Sequence, residues 1–454
     1  MTKTEITEIP TTTGPVFQPG DTGYDAEIAG FQTAYTHRPA VVVGAAHTED
    51  VRAAVEYAAR HGLPIAVQNT GHGLSVATDG GVLINTGRLT DIRIDAETRI
   101  ARIGAGVKAG ALIDAAAAHG LGPLHGSSLS VGVVGYILGG GVGILAREYG
   151  YAAEYVRGIE MVTADGRLRR LTPGDELFGA VLGSGGNFGV VTALDIELLP
   201  VTQVYGGQLQ FDTRLVAPAL EAWRLWTQSV PETVTSAITM LTFPDIPQLP
   251  EHLRGRYVAT VNIAFTGSEE EGERLVEPLR AVGPRMADDL RMMPYSESHA
   301  IYRDPDQPHA YIATNALLSE LPAEATDAFL EITGPDAAVP TVAGFRHLGG
   351  ALGRPGPNGI SMDHRGAEYI ARVLAMPRPD NAEQVRDQLA LVRKTLQPWT
   401  LGHNLNFLYG GGDQAGEEQT RGGYSPETYA RLAGLKAKYD PANLFRNNRN
   451  IRPN

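Results

Sequence analysis

The sequence predicts an α+β fold in which a region with an antiparallel sheet separates a glycine-rich N-terminal region from a C-terminal tail. Residues 39–68 have the pattern of a β-α-β unit and lead directly into a glycine loop. After Pro200 the glycine loops stop, and the strands alternate apolar and polar residues as half-buried antiparallel strands do. The tail regains the glycine-rich texture, so the chain divides into residues 1–200, 201–400 and 401–454.

The β-α-β unit is predicted from three consecutive segments. Pro39–Gly44 is a short β-branched run that suits a buried strand. Glu49–His61 places its apolar residues on one helical face, with Thr48 as the expected cap and Gly62 as the end. Leu63–Gln68 is the second strand.

The other elements follow from the same patterns. The N-terminal region is expected to contain four further strands or strand pairs and one alanine-rich helix: Val82–Asn85, Ile92–Ile94 with Ile100–Ile103, Lys108–His119 (the helix), Ile159–Thr163 with Arg167–Leu171 (a hairpin) and Val190–Leu199. The second region is expected to contain the helices Val216–Ser229 and Glu269–Ala281 and the strands Val234–Phe243 and Tyr257–Phe265. In the tail, Ser425 and Pro426 start a helix that ends at Tyr439.

Composition excludes several classes of protein. The 454 residues include 38 basic and 51 acidic side chains, a net charge of −13, and no cysteine. A disulfide framework, an Fe–S cluster, a thiolate zinc site and a cysteine nucleophile are therefore excluded, and no other metal site is predicted. The acidic balance argues against nucleic acid as a partner.

Targeting signals are also missing from the sequence. The N-terminal residues show no signal peptide, and no apolar run reaches the ~18 residues that span a bilayer. We expect a cytoplasmic protein with no membrane partner.

The glycine clusters do not form a Rossmann dinucleotide site. That fingerprint requires G-x-G-x-x-G between a strand and a helix, with an acidic residue about twenty positions later. Gly139–Gly143 and Gly183–Gly189 both lack the third glycine at this spacing. A nicotinamide dehydrogenase is therefore disfavoured.

Three glycine loops suggest a different binding surface. Gln68–Ser75 leaves a strand end, and free backbone N–H groups in such a turn suit a pyrophosphate. His72 lies between two glycines and is sterically open, but from spacing alone a solvated loop histidine is the favoured interpretation. Gly126–Tyr136 with Gly139–Gly143 gives a second wall, or else a tightly packed core turn, and Asn187–Val191 gives a third.

Four motifs in this order resemble those of the flavin-linked oxidases of the berberine-bridge-enzyme type, within the vanillyl-alcohol-oxidase and p-cresol-methylhydroxylase (PCMH) superfamily. They are Gly71-His72-Gly73, then Ser130–Gly135 with Leu138–Gly143 and Arg147–Gly150, then Gly185–Val191, and finally Asn406–Leu408 with Tyr439–Arg446. The resemblance runs from about residue 35 to the end of the chain.

The resemblance implies a two-lobed PCMH-type FAD-binding domain made of residues 1–200 and the tail 401–454. An antiparallel-sheet substrate domain, residues 201–400, is inserted before that tail and lies over the flavin ring. FAD is expected to bind covalently through a single link from His72 to the flavin 8α-methyl group. Dioxygen is the expected oxidant of the reduced flavin, and the small Val131 leaves room for it.

Many residues are expected to contact FAD by this resemblance. They are Gln68, Asn69, Thr70, Gly71, His72, Gly73, Leu74, Ser75, Ser127, Ser128, Ser130, Val131, Gly132, Gly135, Tyr136, Gly139, Gly140, Gly143, Asn187, Gly189, Val190, Val191, Asn404 and Asn406.

The sequence departs from the family pattern at three positions. Ser128 stands where many relatives carry a cysteine that forms a second covalent bond to the flavin. Tyr136 stands where many have a histidine beside the ring. Asn404 replaces a tyrosine that often acts as catalytic base, and an amide cannot accept the proton.

The base must then be another residue. The candidates are Tyr136, Tyr409, His403 and His364, each of which also has a purely structural interpretation. Tyr136 is favoured because its loop is expected to pass the flavin ring, and Tyr136→Phe is then expected to slow flavin reduction at least tenfold.

Two charged residues precede the last helix. Asp413 and Arg421 suit a salt bridge or a helix cap.

The leading functional prediction is an oxidase that passes a hydride from a small-molecule substrate to flavin and releases hydrogen peroxide. The substrate is an alcohol, an amine or a natural-product intermediate, and secondary metabolism is the expected context. One alternative is a flavoprotein of the same fold that catalyses a non-oxidative or cyclising step. Another is a ligand-binding protein without flavin.

Overall fold

The computed structural model describes residues 9–409 and 416–454, and its strands form three sheets. The first sheet, in the order β1-β2-β4-β3, comprises β1 (Val16–Phe17), β2 (Val41–Gly44), β3 (Ile65–Gln68) and β4 (Val82–Asn85). Strand β4 pairs in parallel with both β2 and β3. Helices α1 (Tyr24–Ile28) and α2 (Thr48–His61) accompany this sheet.

The predicted β-α-β unit is confirmed, with one difference at the start of its helix. Thr48 is the first residue of α2 and not its cap, because its hydroxyl instead donates to Glu160 Oε1 at 3.2 Å. Gly62 ends the helix in the left-handed conformation, at φ 63°.

The second sheet has five antiparallel strands in the order β5-β6-β9-β7-β8. Its strands are β5 (Ile92–Asp95), β6 (Ile100–Gly104), β7 (Val156–Val162), β8 (Leu168–Leu171) and β9 (Val190–Glu197). Four helices belong to this part of the chain: α3 (Ala109–Ala117), α4 (Val133–Leu138), α5 (Ala146–Tyr149) and α6 (Phe178–Val181). The predicted strand pair β5–β6 and the predicted hairpin β7–β8 are confirmed.

The third sheet has nine antiparallel strands, ordered β13-β10-β12-β11-β16-β17-β15-β18, with β14 also paired to β10. The strands are β10 (Gln203–Phe211), β11 (Val234–Thr242), β12 (Tyr257–Phe265), β13 (Ala287–Asp288), β14 (Arg291–Pro294), β15 (Ile312–Leu318), β16 (Thr341–His347), β17 (Tyr369–Ala375) and β18 (Thr400–Gly402). The helices of this part are α7 (Val216–Thr227), α8 (Glu269–Arg280), α9 (Ala323–Thr333) and α10 (Ala382–Leu396).

The third sheet is covered on both faces, so the expectation of half-buried strands is wrong for β12, which is buried at every residue. On one face, Val261 and Ile263 pack with Trp223 of α7. On the other, Ala264 belongs to the core of the glycine-rich region, and Asn262 donates to Ile301 O at 2.7 Å. The apolar–polar alternation of β12 therefore reflects two different buried environments, one on each face of the sheet, and not one buried face and one exposed face.

The tail carries α11 (Glu417–Arg421) and α12 (Pro426–Tyr439). Ser425 caps α12 by accepting from Thr428 N at 3.1 Å, as predicted. The fully buried Lys436 pairs with Asp440 at 2.7 Å and donates to Asn187 O at 2.6 Å, which fixes the third glycine loop. Across the described ranges, no helix combines the length and the apolar character needed to span a bilayer.

Candidate active site

A cavity of about 460 Å³ lies between the glycine loops and the third sheet. Its two sides differ in construction. The glycine wall consists of the lining residues within 67–76, 126–142 and 183–191. The sheet wall consists of six residues from β16, β17 and the neighbouring loops: Tyr311, Arg346, Arg372, Leu374, Phe407 and Tyr409.

The glycine wall presents main chain to the cavity. A Cβ added at Gly73, Gly135, Gly185 or Gly186 would meet no atom within 4 Å, so side chains there would occupy open space. Within the described part of the chain, the N–H groups of residues 70–75 donate no hydrogen bond. A wall of bare backbone with free donors fits an elongated anionic cofactor such as FAD.

His72 lies on the glycine wall, and its contacts fix the imidazole. The ring stacks on Phe31, with centroids 3.7 Å apart, and Tyr311 donates its hydroxyl to His72 O at 2.6 Å. His72 Nε2 lies 2.8 Å from Ser130 Oγ, which is 3.1 Å from Ser128 Oγ. Burial, with smaller contributions from His309 and Lys108, lowers the pKa of His72 to about 4. The imidazole is therefore neutral near pH 7, as a nucleophile must be.

Tyr409 lies on the sheet wall beside two cations. Burial raises the pKa of its hydroxyl, but the positive charges of the nearby Arg372 and Arg346 both act to lower that pKa. Asp304 acts in the opposite direction. Tyr409 also packs edge-on against Tyr311, with ring centroids 5.4 Å apart.

Tyr136 reaches the cavity with its ring but not with its hydroxyl. Its oxygen is buried and has no hydrogen-bond partner among the described residues. The oxygen lies close to Gly143: a Cβ added to that glycine would be 2.8 Å from the oxygen. Burial raises the pKa of Tyr136 well above its ordinary value, which opposes a role as base.

The structure brings most of the predicted site residues to this cavity. Those that line it are Gln68, Asn69, Thr70, Gly71, His72, Gly73, Leu74, Ser75, Ser127, Ser128, Val131, Gly132, Gly135, Tyr136, Gly139, Gly189, Val191, Asn406 and Tyr409. Ser130 is not part of the cavity wall, but its Oγ lies 2.8 Å from His72 Nε2.

Two predicted asparagines lie outside the cavity wall because other contacts use their side chains. Asn187 is fully buried, donating to Ser184 O and Arg449 O and accepting from Ile451 N. Asn404 accepts from Asn406 N at 3.0 Å and is 2% exposed.

Three further predicted cofactor residues also lie outside it. Gly140 and Gly143 are buried beside Met362 and His125, respectively. Val190 packs in the core of the first sheet.

The two histidines proposed as bases lie outside the cavity wall as well. His403 Nδ1 lies 3.0 Å from Asn315 O, and burial lowers its pKa. His364 Nε2 lies 3.1 Å from Gly422 O. Both rings contact main-chain carbonyls and belong to the packing around β18.

Sequence reasoning missed the cationic part of the site. Arg372 interrupts the otherwise apolar run of β17, and Arg346 precedes the end of β16. A single charge inside an apolar strand is a signal, because arginine is rarely buried without a purpose. Phe31 and His309, which contact His72 or its neighbours, carry no comparable signal.

The two charged residues before the last helix have separate outcomes. Arg421 pairs with Glu417 at 2.6 Å and lies over the Tyr429 ring at 4.0 Å. Asp413 lies outside the described residues.

Comparison with known proteins agrees with this architecture. A family model described as an FAD binding domain matches residues 39–172, and one described as berberine and berberine like matches residues 418–452. The (R)-6-hydroxynicotine oxidase of Paenarthrobacter nicotinovorans is 30% identical over 97% of this chain and 97% of the relative. The crystal structure of 6-hydroxy-D-nicotine oxidase from Arthrobacter nicotinovorans has a TM-score of 0.85 at 26% identity, covering 98% and 99% of the two chains.

Fold and site together define an FAD-linked oxidoreductase with a PCMH-type architecture. The chain belongs to the berberine-bridge-enzyme-like family of these enzymes. A more distant likeness in fold is to the glucooligosaccharide oxidase of Acremonium strictum, with a TM-score of 0.83 at 19% identity over 97% of each chain. The FAD of that oxidase is a 6-S-cysteinyl, 8α-N1-histidyl FAD.

Proposed function

We propose that this protein is an FAD-dependent oxidase that takes a hydride from a small-molecule alcohol, amine or natural-product intermediate. Bound FAD would supply the hydride acceptor, and dioxygen would reoxidise it with release of hydrogen peroxide. The observation that carries the proposal is one cavity with free backbone donors on one side and a tyrosine beside two arginines on the other.

His72 is proposed as the single covalent attachment point of FAD. Support comes from its position on the glycine wall, its neutral imidazole and the Phe31 ring that holds it in place. The chain has no cysteine, and Ser128, two residues from Ser130, cannot supply a thioether. A second covalent link is therefore not part of the proposal.

Tyr409 is proposed as the group that accepts the substrate proton. Among the tyrosines considered from the sequence, only Tyr409 combines a place on the cavity wall with contact to a cation. Arg372 would stabilise the tyrosinate form, because a neighbouring positive charge favours an ionised hydroxyl. Asn404, at the position of the usual base, has its side chain committed to the turn before Asn406.

We further propose that residues 1–200 and 401–454 form the FAD-binding domain and that residues 201–400 form the substrate domain. The nine-stranded sheet, which runs from Gln203 to Gly402, supports this division. An amine or another natural-product intermediate is favoured as substrate because a 6-hydroxynicotine oxidase matches this chain over nearly its whole length.

Peroxide release tests the proposal. The purified yellow protein would be screened against alcohols, amines and sugars, and any substrate found would then be mixed with it anaerobically. An oxidase bleaches its flavin stoichiometrically without oxygen and forms one peroxide per turnover in air. A colourless protein would exclude flavin chemistry altogether.

A non-oxidative or cyclising step is the second candidate function. The observation that favours it is Asn404 in place of the usual base tyrosine. In that case the substrate is consumed anaerobically while the flavin stays oxidised, and no peroxide forms.

A further inference from the structure

The sheet wall holds two arginines on adjacent strands. Arg346 of β16 pairs with Ile370, and Arg372 of β17 pairs with Gly344, so the arginines are diagonal neighbours on one face. Such diagonal positions lie within reach of long side chains. Gly344, directly opposite Arg372, carries no side chain, and both arginines line the cavity.

Arg346 lacks a full set of partners. The residue is 4% exposed, and its Nη1 donates to Val142 O at 3.1 Å. Its Nε is buried and has no acceptor within the described ranges. The guanidinium carbon lies 5.3 Å from the centre of the Tyr302 ring, which contributes no formal negative charge.

The positive charge of Arg372 is also only weakly compensated by its neighbours. Its guanidinium carbon lies 4.1 Å from the centre of the Phe407 ring, and its side chain lies beside the neutral Tyr409 hydroxyl. Neither arginine forms an ion pair with a carboxylate in the part of the chain that the structure describes.

The other ionisable groups near the pair do not cancel its charge. They are the hydroxyls of Tyr136, Tyr302, Tyr311 and Tyr409 and the carboxylate of Asp304. Asp304 belongs to an exposed segment and accepts a hydrogen bond from Ser127 at 2.5 Å. Two cations thus face one exposed anion, and a buried cation without a counter-ion is costly.

We propose that Arg346, assisted by Arg372, forms an anion subsite that selects substrates carrying a carboxylate. This inference rests on the proposed function, because it assigns the substrate class of the same cavity. A planar guanidinium fork matches a carboxylate in geometry, and Arg346 Nη2, which donates no hydrogen bond within the described ranges, is the donor left to bind it. Arg372 adds positive potential and at the same time orients Tyr409.

The test compares isosteric charged and neutral probes on the wild-type, flavin-containing protein. Benzoate with benzamide, and acetate with acetamide, are titrated while the shift of the flavin absorption band is recorded. In at least one pair, the carboxylate is expected to bind at least tenfold more tightly than its amide. Equal or weaker binding of both carboxylates, or no binding up to 100-fold molar excess, would overturn the anion subsite.

Variants then locate the subsite. Arg346→Met is expected to weaken carboxylate binding at least tenfold and leave amide binding unchanged, with Arg346→Lys in between. Arg378→Met removes the same charge from an exposed position paired with Asp380 and is expected to change neither. Unaltered carboxylate preference in a folded Arg346→Met protein would assign the preference elsewhere.

Failure of this inference differs from failure of the proposed function. A purified protein without bound flavin contradicts the proposed function. A flavin-containing protein with no carboxylate preference contradicts only the anion subsite. If Arg346→Met does not fold, the wild-type comparison of probes decides the question alone.

Discussion

The two walls of the cavity differ in the chemical groups they present and in the ligand that those groups suit. The glycine wall offers main-chain N–H groups and open space, and its three segments, which include the short helix α4, belong to the N-terminal region. The sheet wall offers arginine side chains from β16 and β17 of the nine-stranded sheet, together with tyrosine and phenylalanine side chains from the neighbouring loops. A cofactor that every turnover needs suits a wall of backbone, because truncation of a side chain leaves the N–H groups in place. Substrate selection suits side chains, which can differ in charge and shape.

The largest expected effect concerns the covalent tether on the glycine wall. His72→Ala is expected to abolish covalent attachment, because it removes the only nucleophilic side chain proposed to bond the flavin. Acid-precipitated wild-type protein should stay yellow, whereas the variant should release its colour to the supernatant. His309→Ala is the control, since His309 also lines the cavity and contacts Phe31. Colour released from the wild type would show that the tether does not exist.

The next effect concerns the proposed base on the sheet wall. Tyr409→Phe is expected to slow anaerobic flavin reduction at least 100-fold, ~2.7 kcal/mol of barrier. Because burial raises the pKa of Tyr409, the wild-type reduction rate is expected to rise with pH, and this rise is lost in the variant. Stopped-flow spectroscopy measures both.

Tyr136→Phe is the matched variant on the glycine wall, because like Tyr409→Phe it removes one tyrosine hydroxyl. The sequence favoured Tyr136 as base, but its buried hydroxyl changes our expectation to a less than tenfold effect. A larger loss in Tyr136→Phe than in Tyr409→Phe would reverse the assignment.

A third effect tests whether the glycine wall needs its open space. Gly135 in α4 is exposed and has no neighbour near an added Cβ, and the same holds for Gly434 in α12. Leucine at either position should stabilise its helix by ~0.5–1 kcal/mol. Only Gly135→Leu is expected to lower flavin content, at least tenfold, as measured by absorbance per mole of protein. Equal flavin content in both variants would argue against a cofactor at this wall.

The smallest expected effect is on stability. It concerns two buried histidines, His125 next to the glycine wall and His347 at the end of β16. Burial lowers the pKa of His125 to about 4 and that of His347 to about 3. The unfolded chain, with a histidine pKa near 6.5, binds more protons below that pH. Stability is therefore expected to fall between about pH 6.5 and 4, by roughly 1–3 kcal/mol for His125. Denaturant unfolding of His125→Asn should show a flatter pH dependence than the wild type.

The sequence predicted the elements and the glycine loops well because their signals are local. The β2-α2-β3 unit, the hairpins and α12 each depend on periodicity and capping within a short stretch. The open positions at Gly73 and Gly135 lie in motifs that the sequence already singled out. Val190 and Asn187 belong to such a motif too, but their side chains face the core, which a motif does not reveal.

By itself, the sequence determined the α+β class, the family resemblance, the lack of a cysteine tether and the position of His72 in a glycine turn. Only the tertiary structure decided which side chains face one another across the cavity. Arg346 and Arg372 are separated along the chain and meet because β16 and β17 pair in one register. A slip of one residue between the two strands would place the two arginines on opposite faces of the sheet, and no local pattern in the sequence fixes that register.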